Sequence, residues 1–306
     1  KMASKSQNFL FIFKTFFLLL FLRKRQSFLV RDASCFRRPA QLISKVSMSV
    51  IVGGGRIGKA LYEMGGKVDT IVGRNDAIPE AGEGPIYVCT RNDQLDNVIE
   101  RTPPSRRKDL VFLQNGILRG FLEERGLGSN TQGMIYFAVS KIGEKPIDGI
   151  TEANPKGLTA CTGQWASAMK ERLAKWNLSC HILGSEEYYA LAFEKHVWIC
   201  AFNIVGVKYS TSVGEVESKY GEEVRALISE LLSATSEFYG IRFNEGALER
   251  LCAYARSVAH YPTAIKEWSW RNGFYWDLSK RCLSEGKPDP TPLHSDLVLS
   301  TGIAPE

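Results

Sequence analysis

The sequence predicts an α/β fold: a doubly wound parallel sheet followed by an all-α C-terminal domain. Three observations predict it. A glycine-rich turn, "SVIVGGGRIGKALYEMG", joins a β-branched run to a helical stretch. Short apolar runs then alternate with polar or helical segments as far as Leu183. Beyond that point the apolar residues recur at helical spacing. The expected boundaries are a leader over residues 1–47, a sheet domain over 48–184 and a helical domain with an extended tail over 185–306.

The elements follow in order. Val50, Ile51 and Val52 form a buried parallel strand. Gly53, Gly55 and Gly58 make G-x-G-x-x-G, with Arg56 and Ile57 completing the turn. The first glycine permits the tight turn, the second admits a pyrophosphate to the backbone, and the third lets helix and strand pack closely. The following helix offers unpaired N–H groups to phosphate. This strand–turn–helix context makes the sheet Rossmann-type and predicts a bound dinucleotide. "KVDTIVGR" supplies the second strand. It ends at Arg74, 19 residues after Gly55, where an NAD site usually has an acid for the ribose. A guanidinium suits a 2′-phosphate, so NADP (as NADPH) is expected, with Asp76 keeping NAD open.

"GPIYVCTRND" and "KDLVFLQNGI" are further strands with polar carboxyl ends, at which Arg91 and Asn115 fall. Ligands of doubly wound sheets bind beyond such ends. "QGMIYFAVSKIG" reads as another strand, "DGITEANPKGLTACTG" as a hairpin, "WASAMKERLAKW" as a helix and "SCHIL" as the closing strand. Residues 186–205 read as an apolar helix carrying Lys195, Ile199 and Asn203 along one face, with Lys195 and Asn203 roughly 12 Å apart. His196 projects away from that face and reads as structural. "EEVRALISELLSATSEFYG" and "NEGALERLCAYARSVAHY" continue the helical half. The aromatic cluster "WSWRNGFYW" reads as packing rather than a cofactor box. "GKPDPTPLHSDLVLSTGIAPE" is proline-rich and reads as an extended tail.

Composition narrows the function classes. The chain has 306 residues, 44% of them hydrophobic, and a net charge of +6. Ten of its 39 basic residues but one of its 33 acids lie in residues 1–48, leaving 29 basic against 32 acidic residues. The body therefore lacks the basic face of a nucleic-acid binder. Arg106-Arg107-Lys108 is the only short cluster there and reads as a solvated loop. Seven cysteines without a CxxC pair and four dispersed histidines argue for a reducing compartment and against both a disulfide framework and a metal.

"NFLFIFKTFFLLLFL" is shorter than the roughly 20 residues a spanning helix needs, so no stable membrane insertion of the mature domain is expected. The basic, acid-poor stretch after it suits a transit peptide and a chloroplast or other organelle. If translation starts at Met48, the protein is expected in the cytoplasm.

Three motifs together carry a resemblance: "GGGRIG", "LQNG" at Leu113–Gly116 and "EKHVWICAFN" at Glu194–Asn203. Over most of Met48 to about Trp276 the chain resembles the ketopantoate reductase family, a divergent plant or algal type of it. That family belongs to a group whose second domain is like that of 6-phosphogluconate dehydrogenase. The resemblance implies that Lys195 is the general acid, that Asn115 contacts cofactor and substrate, that Arg74 selects NADP and that Arg91 stands where the family often has lysine. Asn203 matches a further polar anchor, and Thr263 keeps the hydroxyl of a family serine. Ile199 stands in place of a family asparagine, and Tyr275 in place of a glutamate. The expected function is NADPH-dependent reduction of a 2-oxo acid or related carbonyl, acting on a small-molecule substrate and compatible with a homodimer. The alternative is a non-catalytic, redox-sensing dinucleotide-binding protein.

Overall fold

The computed structural model describes residues 48–304. The chain divides into two units, Lys1–Lys45 and Val46–Glu306, and the described residues lie in the second. The expected leader lies outside the described residues.

Seven short strands form one sheet: β1 (Val50–Val52), β2 (Thr70–Val72), β3 (Ile86–Val88), β4 (Leu110–Phe112), β5 (Thr131–Met134), β6 (Ala160–Thr162) and β7 (His181–Ile182). Their spatial order is β2-β1-β3-β4-β5-β6-β7. The first five strands are mutually parallel, β6 runs antiparallel to β5, and β7 is parallel to β6. After β1 the chain goes first to one side and then to the other, so the order reverses between β1 and β3. A doubly wound sheet opens its ligand crevice at such a point.

Both faces of the sheet are covered, and the period-two geometry of a strand divides its residues between them. Val50, Val52, Ile86, Val88, Leu110 and Phe112 pack into one core with Leu95, Val98 and Leu122. These last come from α2 (Leu95–Arg101) and α3 (Arg119–Glu124). Ile51, Tyr87, Val111 and Cys161 face the other way, against Leu61 and Met64 of α1 (Arg56–Met64) and Met169 and Leu173 of α4 (Ala166–Ala174). Two-sided burial explains why these strands read as continuous apolar runs. Arg172 of α4 anchors this second layer. It donates to Asp69, at 3.0 Å for one of its contacts, to Ser49 Oγ at 2.8 Å and to Leu61 O at 2.8 Å.

The sheet ends at Ile182, and α5 (Ser185–Lys208) begins three residues later. Fifteen of its 24 residues are buried, on all sides of the helix. By length and composition it could cross a membrane, yet 72% of its apolar window is covered within the protein. Around it pack α6 (Val213–Lys219), α7 (Gly221–Tyr239), α8 (Ala247–Ser257) and α10 (Pro292–Thr301), while α9 (Asn272–Ser284) packs on α10. A helix apolar all round is the centre of a layer, not its surface.

Four local expectations are corrected. The tail is not extended: Pro292 opens a helix whose first N–H groups, those of Leu293 and His294, donate to Glu230 at 2.8 and 3.0 Å. Residues 148–163 form no hairpin. Thr151 and Asn154 make an isolated bridge, and Ala160–Thr162 joins the sheet against β5. The strand expected over "QGMIYFAVSKIG" ends at Met134. Arg106 is buried rather than solvated, because its guanidinium binds Asp109 at 2.7 Å and the carbonyls of Gly84 and Ala81.

Candidate active site

The phosphate turn has the steric signature that its three glycines imply. Gly53 has φ +102°, and a β-carbon there would lie 2.9 Å from the Cys89 carbonyl. A β-carbon on Gly58 would lie 1.9 Å from the Gly53 carbonyl, so only glycine lets α1 sit this close to β1. Gly55 faces open space, with no atom within 4 Å of the same construction. Two glycines are thus required by contacts inside the protein, and the middle one leaves room outside it for a phosphate group. Ile57 packs on the apolar layer beneath α1. Arg56 donates from one guanidinium nitrogen to the carbonyls of Val139 and Ser140, tying the turn to the loop after β5.

Beside the turn, at the reversal between β1 and β3, lies a cavity of about 370 Å³. Gly53, Gly73, Arg74, Thr90, Arg91 and Arg101 line it, among others. Arg74 is exposed and makes no hydrogen bond or ion pair within the described residues, whereas Arg91 pairs loosely with Asp93 at 3.4 Å. Asp76, itself exposed, accepts from Gly73 N at 2.9 Å through one carboxylate oxygen. Arg101 holds the same turn through the carbonyls of Asp76 (2.6 Å) and Gly73 (3.4 Å). One oxygen of the acid nearest this turn is thus engaged, and the Arg74 guanidinium lines the cavity without a protein partner among the described residues.

The loops at the carboxyl ends of β3 and β4 are locked to one another. Gln114 Nε2 donates to the carbonyls of Val88 (2.9 Å) and Thr90 (3.1 Å), and Asn92 Nδ2 donates to the Asn115 carbonyl (3.0 Å). This interlock fixes the backbone on which Asn115 stands.

Lys195 reaches the same end of the sheet. Its Nζ donates to the carbonyl of Ile135, the residue after β5, and lies 4.7 Å from the centre of the Tyr136 ring. The residue is only 9% exposed. Burial, reinforced by the positive charge of Arg271, holds its pKa down at about 7. An amine in that range exchanges a proton near neutral pH. Glu194 next to it is not a catalytic partner: both its oxygens bind Arg250, at 2.9 and 2.8 Å.

The remaining sequence candidates are engaged elsewhere. Asn203 Nδ2 donates to Ile199 O at 2.8 Å, and its Oδ1 accepts from Ala264 N at 3.0 Å. Thr263 Oγ1 donates to Thr211 O at 2.6 Å and lines a second cavity of about 460 Å³ with Gly206 and His260. Gly206 stands eleven residues along α5 from Lys195, roughly 16 Å of helix axis. Tyr275 is fully buried and shares a 2.9 Å hydrogen bond with Thr235, inside the helical core. The structure thus gathers the glycine turn, Arg74, Arg91, Asn115 and Lys195 along one edge of the sheet. It uses Asn203 and Thr263 to hold the chain segment that enters and follows Ala264.

That segment, a strap over residues 264–271, is the part of the site that sequence reasoning missed. Glu267 Oε1 accepts from Asn92 N at 2.9 Å, and its Oε2 pairs with Arg271 at 2.6 Å. Trp270 stacks edge-on against Phe121 at 5.1 Å, and its carbonyl lies 2.6 Å from where a β-carbon on Gly116 would stand. The available signal was two charges, Glu267 and Arg271, set inside an aromatic cluster.

Against known protein families no family model matches the chain, and no curated protein matches it. Solved structures do match. A PanE/ApbA family ketopantoate reductase from Ralstonia eutropha JMP134 has a TM-score of 0.60 at 14% identity, over 84% of this chain and 99% of its own. A D-mandelate dehydrogenase, solved with NADH and anilino(oxo)acetate, has a TM-score of 0.61 at 15% identity, over 84% and 98%. A dimeric ketopantoate reductase from Staphylococcus aureus has a TM-score of 0.54 at 16% identity, over 84% and 99%. The likeness is one of fold: a Rossmann-type sheet followed by a helical half.

Proposed function

We propose that the protein is an NADPH-dependent reductase of a 2-oxo acid or closely related carbonyl, similar in action to a ketopantoate reductase. The observation that carries the reading is Lys195: a buried amine with a pKa near 7, standing at the carboxyl edge of a sheet whose glycine turn is shaped for a diphosphate. Gly53, Gly55, Arg56, Ile57 and Gly58 would hold the diphosphate at the start of α1, and Arg74 with Arg91 the 2′-phosphate. When bound, the nicotinamide supplies the hydride.

The chain supplies the rest. Lys195, protonated, stabilises negative charge growing on the carbonyl oxygen and delivers the proton from Nζ. In doing so it exchanges its hydrogen bond to Ile135 for one to the substrate. Asn115, fixed by the Asn92 and Gln114 interlock, orients both ligands. Asn203 and Thr263 act through the strap they hold. Ile199 and the aromatic neighbours exclude water and keep the amine pKa low. The three neighbours named above, two reductases and a dehydrogenase, support this class, as does the sequence resemblance. A second copy of the chain is the proposed assembly partner.

One observation favours the alternative of a non-catalytic nucleotide-binding protein: the amine is satisfied by Ile135, and Asn203 is satisfied internally. A titration separates the two. The purified chain is titrated with NADPH and NADH and then screened with 2-oxo acids for loss of nicotinamide absorbance. Tighter binding of NADPH than NADH, with turnover, is the expected result. Saturable binding without turnover of any carbonyl gives the alternative, and no binding of either nucleotide removes both.

A further inference from the structure

Arg271 is the unexplained cation of the site. Its side chain is 14% exposed, yet the buried Nε–H has no hydrogen-bond partner. A buried donor left without a partner destabilises the fold, the more so when it is charged. Its position is nonetheless firmly set. Glu267 grips one terminal nitrogen while accepting from the backbone of Asn92, beyond the end of β3. Glu267 itself holds a left-handed conformation, φ +47°, that a non-glycine residue adopts only when its surroundings compel it. Trp270, one residue away, is clamped on Gly116, beside Asn115. Arg271 therefore stands at the carboxyl ends of β3 and β4. Its charge bears directly on Lys195 and on Cys200 one turn further along α5. Of these two buried cations only Arg271 has a carboxylate partner among the described residues, that of Glu267.

We propose that Arg271 binds the carboxylate of the substrate, so that the site takes carbonyl compounds bearing an adjacent carboxylate and rejects neutral ketones. The proposal rests on the reductase reading for the identity of the site. A carboxylate supplies what is missing: an acceptor for Nε–H in the planar, two-oxygen form that guanidinium groups prefer, and a negative charge against the surplus positive one. With the acid group held by Arg271 beside Lys195, the neighbouring 2-oxo oxygen is within the domain of the amine. An uncharged ketone leaves the guanidinium unmatched, which is the strongest form of discrimination a buried polar group gives.

The test reads binding, not turnover. Oxamate and phenylglyoxylate are titrated into the full chain loaded with NADP+, which cannot reduce them, following tryptophan fluorescence, to which Trp268 and Trp270 beside the arginine contribute. The expected result is saturable binding of both acids, at least tenfold weaker binding of methyl phenylglyoxylate, and at least tenfold loss for Arg271→Gln with NADPH affinity within twofold. Arg271→Lys, which keeps the charge without the fork, should fall between. Equal affinity for the acid and its ester, acid binding unchanged in Arg271→Gln, or no binding of either acid overturns the proposal. The ester comparison uses the unmutated protein, so a variant that fails to fold leaves the question decided. Carboxylate-selective binding without turnover in the NADPH screen of 2-oxo acids upholds Arg271 and counts against the reductase.

Discussion

Lys195 carries opposite consequences for stability and for chemistry. Its folded pKa of about 7 lies below the ordinary lysine value of 10.5, so between those values the unfolded chain binds the extra proton. Stability gained from this residue therefore rises as pH climbs from about 7 to 10.5, and below 7 the full burden of a buried charge is present. Lys195→Met removes that burden but leaves the Ile135 carbonyl bare. The expected outcome in urea melts is a variant more stable than the parent by on the order of 2 kcal/mol at pH 6, the gap closing towards pH 10. The same variant should lose at least about 100-fold in kcat. For the parent, kcat/KM should be level below pH 7 and fall above it, as the proton to be delivered leaves. A gap that does not change with pH would show that the amine is not held down as argued. At this scale the sequence was informative where a motif spans several residues. The three glycines were legible because turn sterics depend on nearby positions, whereas Lys195 was singled out by the family resemblance. Arg271 was not, because its meaning comes from Asn92 and Gly116, about 180 and 155 positions away, and from a hydrogen-bond partner it lacks.

Elements were legible in proportion to how local their causes are. The first strands and α1 follow from β-branched runs and a glycine turn, and α5 from an unbroken apolar pattern. The tail shows the converse. "PDPTP" suggested extended chain, yet Pro292 sits at the first turn of α10, where proline's missing N–H is no loss. What decides for helix is distant: Glu230 on α7 accepts from two N–H groups at the start of α10, and Leu297 and Val298 then bury themselves in the helical core. Ser279 and Thr291, both buried, share a 2.7 Å hydrogen bond that fixes the approach from α9. Glu230→Ala should therefore lower stability by about 1 kcal/mol, the usual worth of a helix N-terminal cap, with nucleotide affinity unchanged. Denaturant midpoints measured beside an NADPH titration check this. A variant that keeps its midpoint would mean that α10 docks through its apolar side chains alone.

Across the molecule, the sheet layer and the helical layer form one compact unit, and α5 runs through the contact between them. Anything that undoes the helical core should then remove the nucleotide site with it. Two buried histidines supply such a trigger. His196 stacks on Tyr275 at 5.4 Å and His294 bonds Asn272 at 2.9 Å. Burial holds His196 at about 3 and His294 at about 4, both well below the ordinary 6.5. Arg271 and His294 lower His196 further, while Asp289 works against burial at His294. Between pH 6.5 and 4 the unfolded chain takes up protons at both positions and the folded chain does not, so stability falls as pH falls. Each histidine should account for on the order of 2 kcal/mol lost by pH 4.5. Urea midpoints from pH 7.5 to 4.5 should decline accordingly, with helical circular dichroism and NADPH affinity lost in one transition. His196→Phe, which keeps a ring against Tyr275 and Phe274 but cannot take a proton, should flatten the decline by about half. A slope unchanged in that variant, or nucleotide binding that outlives the helical signal, would sink the argument. The first would mean that neutral His196 does not drive acid unfolding. The second would mean that the sheet layer stands without the helices packed beside it.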